Sequence, residues 1–204
     1  MKTCAPVNIA LIKYWGKAST DPVLPSTPSI SLTLDAYASE TTFEKSDTFS
    51  FELNKVPLKG AELEKMRTFY ERFNPTVPLQ IKSTNSGPTA AGVASSASGF
   101  AAYACGLKEW FNPHMSLDDY VELTAYGSGS ATRSLLGGAV MWHENGKVSS
   151  VPFNHTRYQM AIVLIDQTQK TISSRVRMAE SLNDAHFKDW VRRHRKRATQ
   201  MVDA

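Results

Sequence analysis

Cysteine is scarce. Cys4 and Cys105 are the only two in 204 residues, too few for a disulfide framework and too far apart in sequence for a zinc site. Both are expected to be buried, reduced thiols. None of the five histidines stands at metal-ligand spacing, so no protein-ligated zinc or iron is expected. No apolar run approaches the length of a membrane span, and the first residues lack the charged, apolar and cleavage regions of a secretory signal. The expectation is a cytoplasmic protein with no membrane partner. Repeats, low-complexity tracts and clear linkers are also missing. Eleven glycines and ten prolines exclude collagen-like and disordered classes. What remains is an ordinary soluble composition, 42% hydrophobic and 21% charged, long enough for one large domain or two small ones.

The positive charge is local. Of 23 Lys and Arg, six follow residue 187, against two of the 19 acids, so residues 1–187 hold 17 of each and are neutral. The net charge of +4 therefore comes from the tail and is poor support for a nucleic-acid partner. The run Arg192–Arg197 reads as a basic arm or, more simply, as the solvated face of a helix whose acidic partners lie in sequence this chain lacks.

Along the chain, Val7–Trp15 is an apolar, β-prone run, and Gly16–Pro28 reads as a loop. Ser29–Leu34 alternates, Asp35–Ala36 marks a turn, and Tyr37–Glu44 and Phe49–Leu53 are further strands. Leu63, Met66, Phe69, Tyr70 and Phe73 recur at helical steps within Ala61–Phe73. Leu79–Ser83 is a strand, and a helix runs out of the small-residue segment 85–99 to Leu107. Ser116–Asp119 has the form of a capping box opening a helix through Thr124. Gly127–Gly138 reads as a Gly/Ser loop, and Glu144–Lys147 as a hairpin turn between Val140–Trp142 and Val148–Phe153. Ala161–Asp166 reads as a buried strand and Glu180 onward as helix. Strands and helices mix without strict alternation, so the fold class is α+β.

Four segments carry donors for anions. Pro88-Thr-Ala-Ala-Gly-Val-Ala-Ser-Ser-Ala-Ser-Gly99 either cradles phosphate, with small side chains, Gly92 and hydroxyls at a helix start, or is a tightly packed small-residue helix. It is not a Walker A loop, because no Gly-Lys-Ser/Thr follows. Gly127-Ser-Gly-Ser-Ala-Thr-Arg133 departs from the dinucleotide fingerprint at Thr132. It is either a Ser-rich anion turn with a bidentate Arg or a flexible loop with a solvated one. Lys13, Tyr14 and Lys17 stand where a strand ends, and Lys170–Arg175 adds Ser173, Ser174 and Arg175. Together these point to a small ligand with several phosphate or carboxylate groups.

The order of Asn8-Ile-Ala-Leu-Ile-Lys-Tyr-Trp-Gly-Lys17, Ser29-Ile-Ser-Leu-Thr33, Pro88–Gly99, Ser128-Gly-Ser-Ala-Thr-Arg133 and Ser173-Ser-Arg175 resembles the diphosphomevalonate decarboxylase family. That family belongs to the superfamily of galactokinase, homoserine kinase, mevalonate kinase and phosphomevalonate kinase. The resemblance implies their small-molecule kinase fold, with a left-handed βαβ unit in a ribosomal protein S5 domain 2-like N-terminal domain. It also implies ATP- and Mg²⁺-dependent phosphorylation of the 3-hydroxyl of 5-diphosphomevalonate, followed by loss of phosphate and CO₂ to give isopentenyl diphosphate. Pro88, Thr89, Ala90, Ala91, Gly92, Ser95, Ser96 and Ser98 would then hold the ATP phosphates, with Ser96 reaching Mg²⁺. Tyr14, Lys17, Ser128, Ser130, Ser174 and Arg175 would bind the substrate, Arg133 would grip the carboxylate that leaves, and Lys17 and Arg133 would be the catalytic pair.

The sequence departs from the family in one respect. The family's aspartate in an Asp-Ala-Gly-Pro-Asn-like segment has no match: Asp184–Ala185 and Asp203–Ala204 lack the continuation. Family members are longer, so the resemblance implies a C-terminal half that is largely absent. Residues 1–180 are then the N-terminal domain and 181–204 the start of the next, with a homodimer at full length and little turnover from these residues alone.

Overall fold

The computed structural model describes residues 1–87, 95–154, 160–162 and 174–203. Its backbone is a seven-stranded mixed sheet built around one long strand. Strand β1 (Lys2–Ile12) lies antiparallel to β4 (Ser29–Lys45), and β2 (Lys17–Thr20) and β3 (Val23–Pro25) form a separate hairpin between them. The stretch expected to be an open loop is therefore ordered, and Lys17 is fixed opposite Pro25. The expected turn at Asp35–Ala36 is also not a turn. β4 runs straight through it, and the irregularity appears as a register shift, with Pro6 opposite Ala38 but Asn8 opposite Thr33. A bulge of this kind lets polar residues interrupt a strand without ending it.

β5 (Ser50–Leu53) and β6 (Val56–Pro57) turn through Asn54 and Lys55, both in the left-handed region. β5 runs parallel to β7 (Leu79–Asn85). β7 pairs with residues 39–45 of β4, and β8 (Ala139–Trp142) with residues 29–32. The end of β7 and the start of β8 thus face each other across residues 33–38, where the sheet forks. The chain leaves the sheet at Asn85, opposite Ser39, and returns to it at Ala139, opposite Leu32, on either side of that fork. β9 (Val148–Ser150) closes the hairpin through Gly146.

Helix α1 (Gly60–Glu71) places Phe69 and Tyr70 in the core, and Phe73 follows just beyond its end. Helix α2 (Ser95–Phe111) lies against the sheet, with Ala97, Ala101, Ala102, Ala104 and Leu107 fully buried. Small side chains bring its backbone close to Phe43, 2.1 Å from where a Cβ on Gly106 would stand, and Phe51, Leu79 and Ile81 share the same core cluster. Each large apolar side chain so buried contributes about 1.5–3 kcal/mol. Helix α3 (Leu117–Gly127) is capped by Ser116, whose hydroxyl accepts from the Asp119 N–H. It runs a turn beyond Thr124.

The expected Gly/Ser loop at 127–138 is instead a 3₁₀ helix over Gly129–Ser134. The expected single helix from Glu180 is two, α4 (Ser174–Ser181) and α5 (Phe187–Val202). Helix α5 packs onto β1: Ala198 meets Ile12 and Ile30, and Phe187 lies against Gly16. Its basic face finds acids within this chain, contrary to expectation. Arg195 grips Glu144, and Arg192 and Arg193 reach Asp189. Cys4 is exposed and Cys105 half-buried, so neither is the fully buried thiol expected. Residues 163–166 of the expected strand at Ala161–Asp166 lie outside the described residues, and no strand forms at 160–162.

Candidate functional site

The fork places Tyr14, the Ser128–Arg133 turn and β4 together. Tyr14 is buried just beyond β1, its ring edge-on to Trp142 at 5.0 Å between centroids. Gly129 brings the 3₁₀ helix onto both rings: a Cβ there would lie 2.9 Å from the Tyr14 ring and 3.0 Å from Trp142. No side chain fits, which is why a glycine stands between the two serines. Ser128 and Ser130 share a hydroxyl hydrogen bond of 3.0 Å and are both half-buried. Asn8, buried in β1, donates through its amide to the Ser130 carbonyl at 3.1 Å and to the Ser134 hydroxyl at 2.7 Å. The turn is thereby pinned to the sheet at both ends.

Arg133 is 2% exposed. Its Nε donates to the Ser31 hydroxyl at 3.0 Å and its Nη1 to the Ser29 hydroxyl at 2.6 Å. Burial pushes its pKa down to about 10, partly offset by the nearby Tyr14. Among the described residues no ion pair involves it. A buried guanidinium without a carboxylate is costly, and two neutral hydroxyls occupy only two of its five N–H donors. Among the described residues no anion supplies the counter-charge, and a buried fork of this kind suits an anionic ligand. The solvated Arg weighed from sequence is thus excluded.

Helix α4 joins this end of the molecule. Met178 packs into the cluster of Tyr14, Val23, Val121, Ala125 and Trp142, and Trp15 Nε1 donates to the Ser181 hydroxyl at 3.0 Å. Ser174 opens that helix and is exposed. The Arg175 side chain and residues 170–173 lie outside the described residues. So do Pro88, Thr89, Ala90, Ala91 and Gly92, with the Ser95 side chain. Ser96 is exposed on the first turn of α2, which carries no acid that would oppose an anion. Ser98, expected beside the phosphates, is instead fully buried and shares a 2.7 Å hydrogen bond with Ser39.

Sequence reasoning missed three polar residues of this site. Asn8, Ser29 and Ser31 stand in strands with their side chains buried. The signal was available: Ser29 and Ser31 are two apart, hence on one face of a strand, and a polar pair on a buried face needs a partner.

No group of three or more His, Cys, Asp or Glu among the described residues could hold a metal ion. Nor is any helix among them long and apolar enough to cross a membrane.

Comparisons with known proteins identify the family. Residues 5–153 match the family model described as the diphosphomevalonate decarboxylase-like N-terminal domain. The diphosphomevalonate decarboxylase of Ganoderma lucidum is 39% identical over 68% of this chain and 40% of its own length. Two solved structures cover the whole chain with a TM-score of 0.87. One, of MDDEF in complex with MVAPP, AMPPCP and magnesium, is 34% identical and is covered over 67% of its length. The other, mevalonate diphosphate decarboxylase from Staphylococcus aureus, is 32% identical and is covered over 66%. The chain spans about half the length of the curated relatives it matches.

Proposed function

We propose that this chain, which belongs to the diphosphomevalonate decarboxylase family, binds ATP with Mg²⁺ and 5-diphosphomevalonate. It would thereby serve ATP-dependent decarboxylation to isopentenyl diphosphate, with release of ADP, phosphate and CO₂. The observation that carries the reading is Arg133: a buried cation, held by two hydroxyls and facing no carboxylate among the described residues, beside Tyr14 and a serine-rich turn.

In this reading Arg133 binds the substrate carboxylate in bidentate fashion. Lys17, Tyr14, Ser128 and Ser130 take the diphosphate, and Ser174 and Arg175 are assigned to the same substrate. Residues 88–92 with Ser95 and Ser96 hold the ATP phosphates at the start of α2, where backbone N–H groups favour anions. The first turn of α2, open at Ser96 and free of acid, fits that group. Ser96 would reach the magnesium ion that arrives with the nucleotide, and that ion would supply charge neutralisation on the transferred phosphate. Positioning does most of the remaining work, and Arg133 releases the carboxylate as CO₂ once the 3-phosphate departs. A cytoplasmic location and a homodimer at full length belong to the same reading, and cell fractionation and sedimentation test them.

A second reading is favoured by one sequence feature. The Asp-Ala-Gly-Pro-Asn segment does not occur, so these residues could bind both ligands without turnover. Measuring ADP and CO₂ from the chain with MgATP and 5-diphosphomevalonate separates the cases. Equal ADP and CO₂ supports decarboxylation, and ADP alone marks a 3-hydroxyl kinase. Binding with neither product marks a binding module, and no binding of 5-diphosphomevalonate contradicts the proposal.

A further inference from the structure

The two ends of the small-residue segment are tied together by one side chain on the central strand. Asn85 ends β7 before it, and Ser98 lies in the first turns of α2 after it. Ser39 of β4, fully buried, donates to Asn85 Oδ1 at 2.5 Å and shares a 2.7 Å hydrogen bond with the Ser98 hydroxyl. Its neighbours reinforce the tie. The Ser86 hydroxyl bonds both the N–H and the carbonyl of Ala38, at 2.8 and 3.0 Å. Gly87 lies on the Tyr37 ring, where a Cβ would come within 3.2 Å. Three consecutive residues of β4 therefore hold both flanks of the segment.

We infer that Ser39 is a positioning residue for nucleotide, setting where the first turn of α2, open at Ser96, stands relative to the end of β7. This inference rests on the nucleotide reading above. Ser39 touches no ligand itself. Its hydroxyl fixes where α2 begins relative to the sheet, and a hydrogen bond in a fully buried site holds that distance more tightly than packing alone. Two residues along the same strands, Thr41 and Ser83 make a similar buried hydroxyl pair at 3.0 Å. That pair lies inside the ladder, away from the segment, and supplies the matched control.

The test is titration of the full chain with MgATP, alongside thermal melting, for wild type, Ser39→Ala, Ser98→Ala, the double variant and Thr41→Ala. The expected result is nucleotide affinity lowered about five- to tenfold by Ser39→Ala, the scale of one buried hydrogen bond. The double variant should be little worse than the worse single, because its members share a bond. Thr41→Ala should lower the melting temperature without changing affinity. Ser98→Ala removes the same bond by a change that suits a helix, so it remains informative if Ser39→Ala fails to fold. Wild-type binding with unchanged affinity in the folded Ser39 and Ser98 variants overturns this inference alone. An equal loss in Thr41→Ala reduces Ser39 to a structural role. A wild-type chain that binds no MgATP overturns the nucleotide reading and the inference with it.

Discussion

The guanidinium of Arg133 donates to the hydroxyl of Ser29 at 2.6 Å, across 104 residues of sequence, and both groups are buried. A short charge-assisted bond of this kind fixes direction more than it neutralises charge. The cation is therefore aimed by hydroxyls and meets no carboxylate among the described residues. Arg133→Ala is expected to weaken 5-diphosphomevalonate binding by at least about a hundredfold, the scale of a buried charge-assisted pair, while MgATP affinity changes less than about twofold. Arg133→Lys keeps the charge but loses the planar fork, so it should recover only part of the affinity. Calorimetric titration with each ligand checks this. Full substrate affinity in Arg133→Ala would sink the assignment.

Gly129→Ala tests the contact between the turn and the aromatic pair. The new methyl meets Tyr14 and Trp142 at 2.9–3.0 Å, and Trp142 is fully buried. Overpacking should cost about 1–2 kcal/mol of stability and shift Ser128 and Ser130 away from a ligand. Denaturant unfolding and 5-diphosphomevalonate titration should both move, with MgATP binding unaffected.

Gly106→Ala tests the packing of α2 on the sheet. In an exposed helix the change stabilises by about 1 kcal/mol. Here the added carbon would stand 2.1 Å from the ring of Phe43, itself fully buried. Strain of about 1–3 kcal/mol overrides the propensity, and urea unfolding should show a net loss. A stabilised variant would mean the helix sits farther from the strand.

His194 gives a pH dependence. Burial holds its pKa below the ordinary value, helped by Arg197, although its Nε2–H donates to the Lys13 carbonyl at 2.8 Å. The unfolded chain therefore takes up this proton at higher pH than the folded one. Its contribution to stability is fully present above pH ~6.5 and is lost as pH falls toward the lowered folded value, with a slope of at most about 1.4 kcal/mol per pH unit. Melts from pH 7.5 to 5 should fall accordingly, and His194→Gln should flatten that fall. An unchanged profile in the variant would assign the dependence elsewhere.

Local signals in the sequence were enough for the elements with strong periods. The α1 face, the Ser116 cap and the Gly146 hairpin follow from spacing and turn chemistry alone. What failed was long-range. Asp35 and Ala36 look like a turn until β1 supplies a bulged partner for β4. Gly127–Gly138 looks like a loop until Asn8 and Trp142 hold it as a 3₁₀ helix. The arms of Arg192–Arg197 look unpartnered until Glu144 is brought beside Arg195. The same holds at the candidate site. Arg133 was legible as a candidate anion ligand, but its partners Ser29 and Ser31 stand 104 and 102 residues away in sequence. Ser98 read as a ligand hydroxyl because nothing local says that Ser39 lies beneath it.

The most direct measurement compares the wild-type chain's affinity for 5-diphosphomevalonate with that for isopentenyl diphosphate, which keeps the diphosphate but lacks the carboxylate. If Arg133 awaits that carboxylate, 5-diphosphomevalonate binds at least about tenfold tighter, as expected for one charge-assisted contact, and Arg133→Ala abolishes the difference. Equal affinity for the two ligands, or a preference that survives Arg133→Ala, would contradict the account.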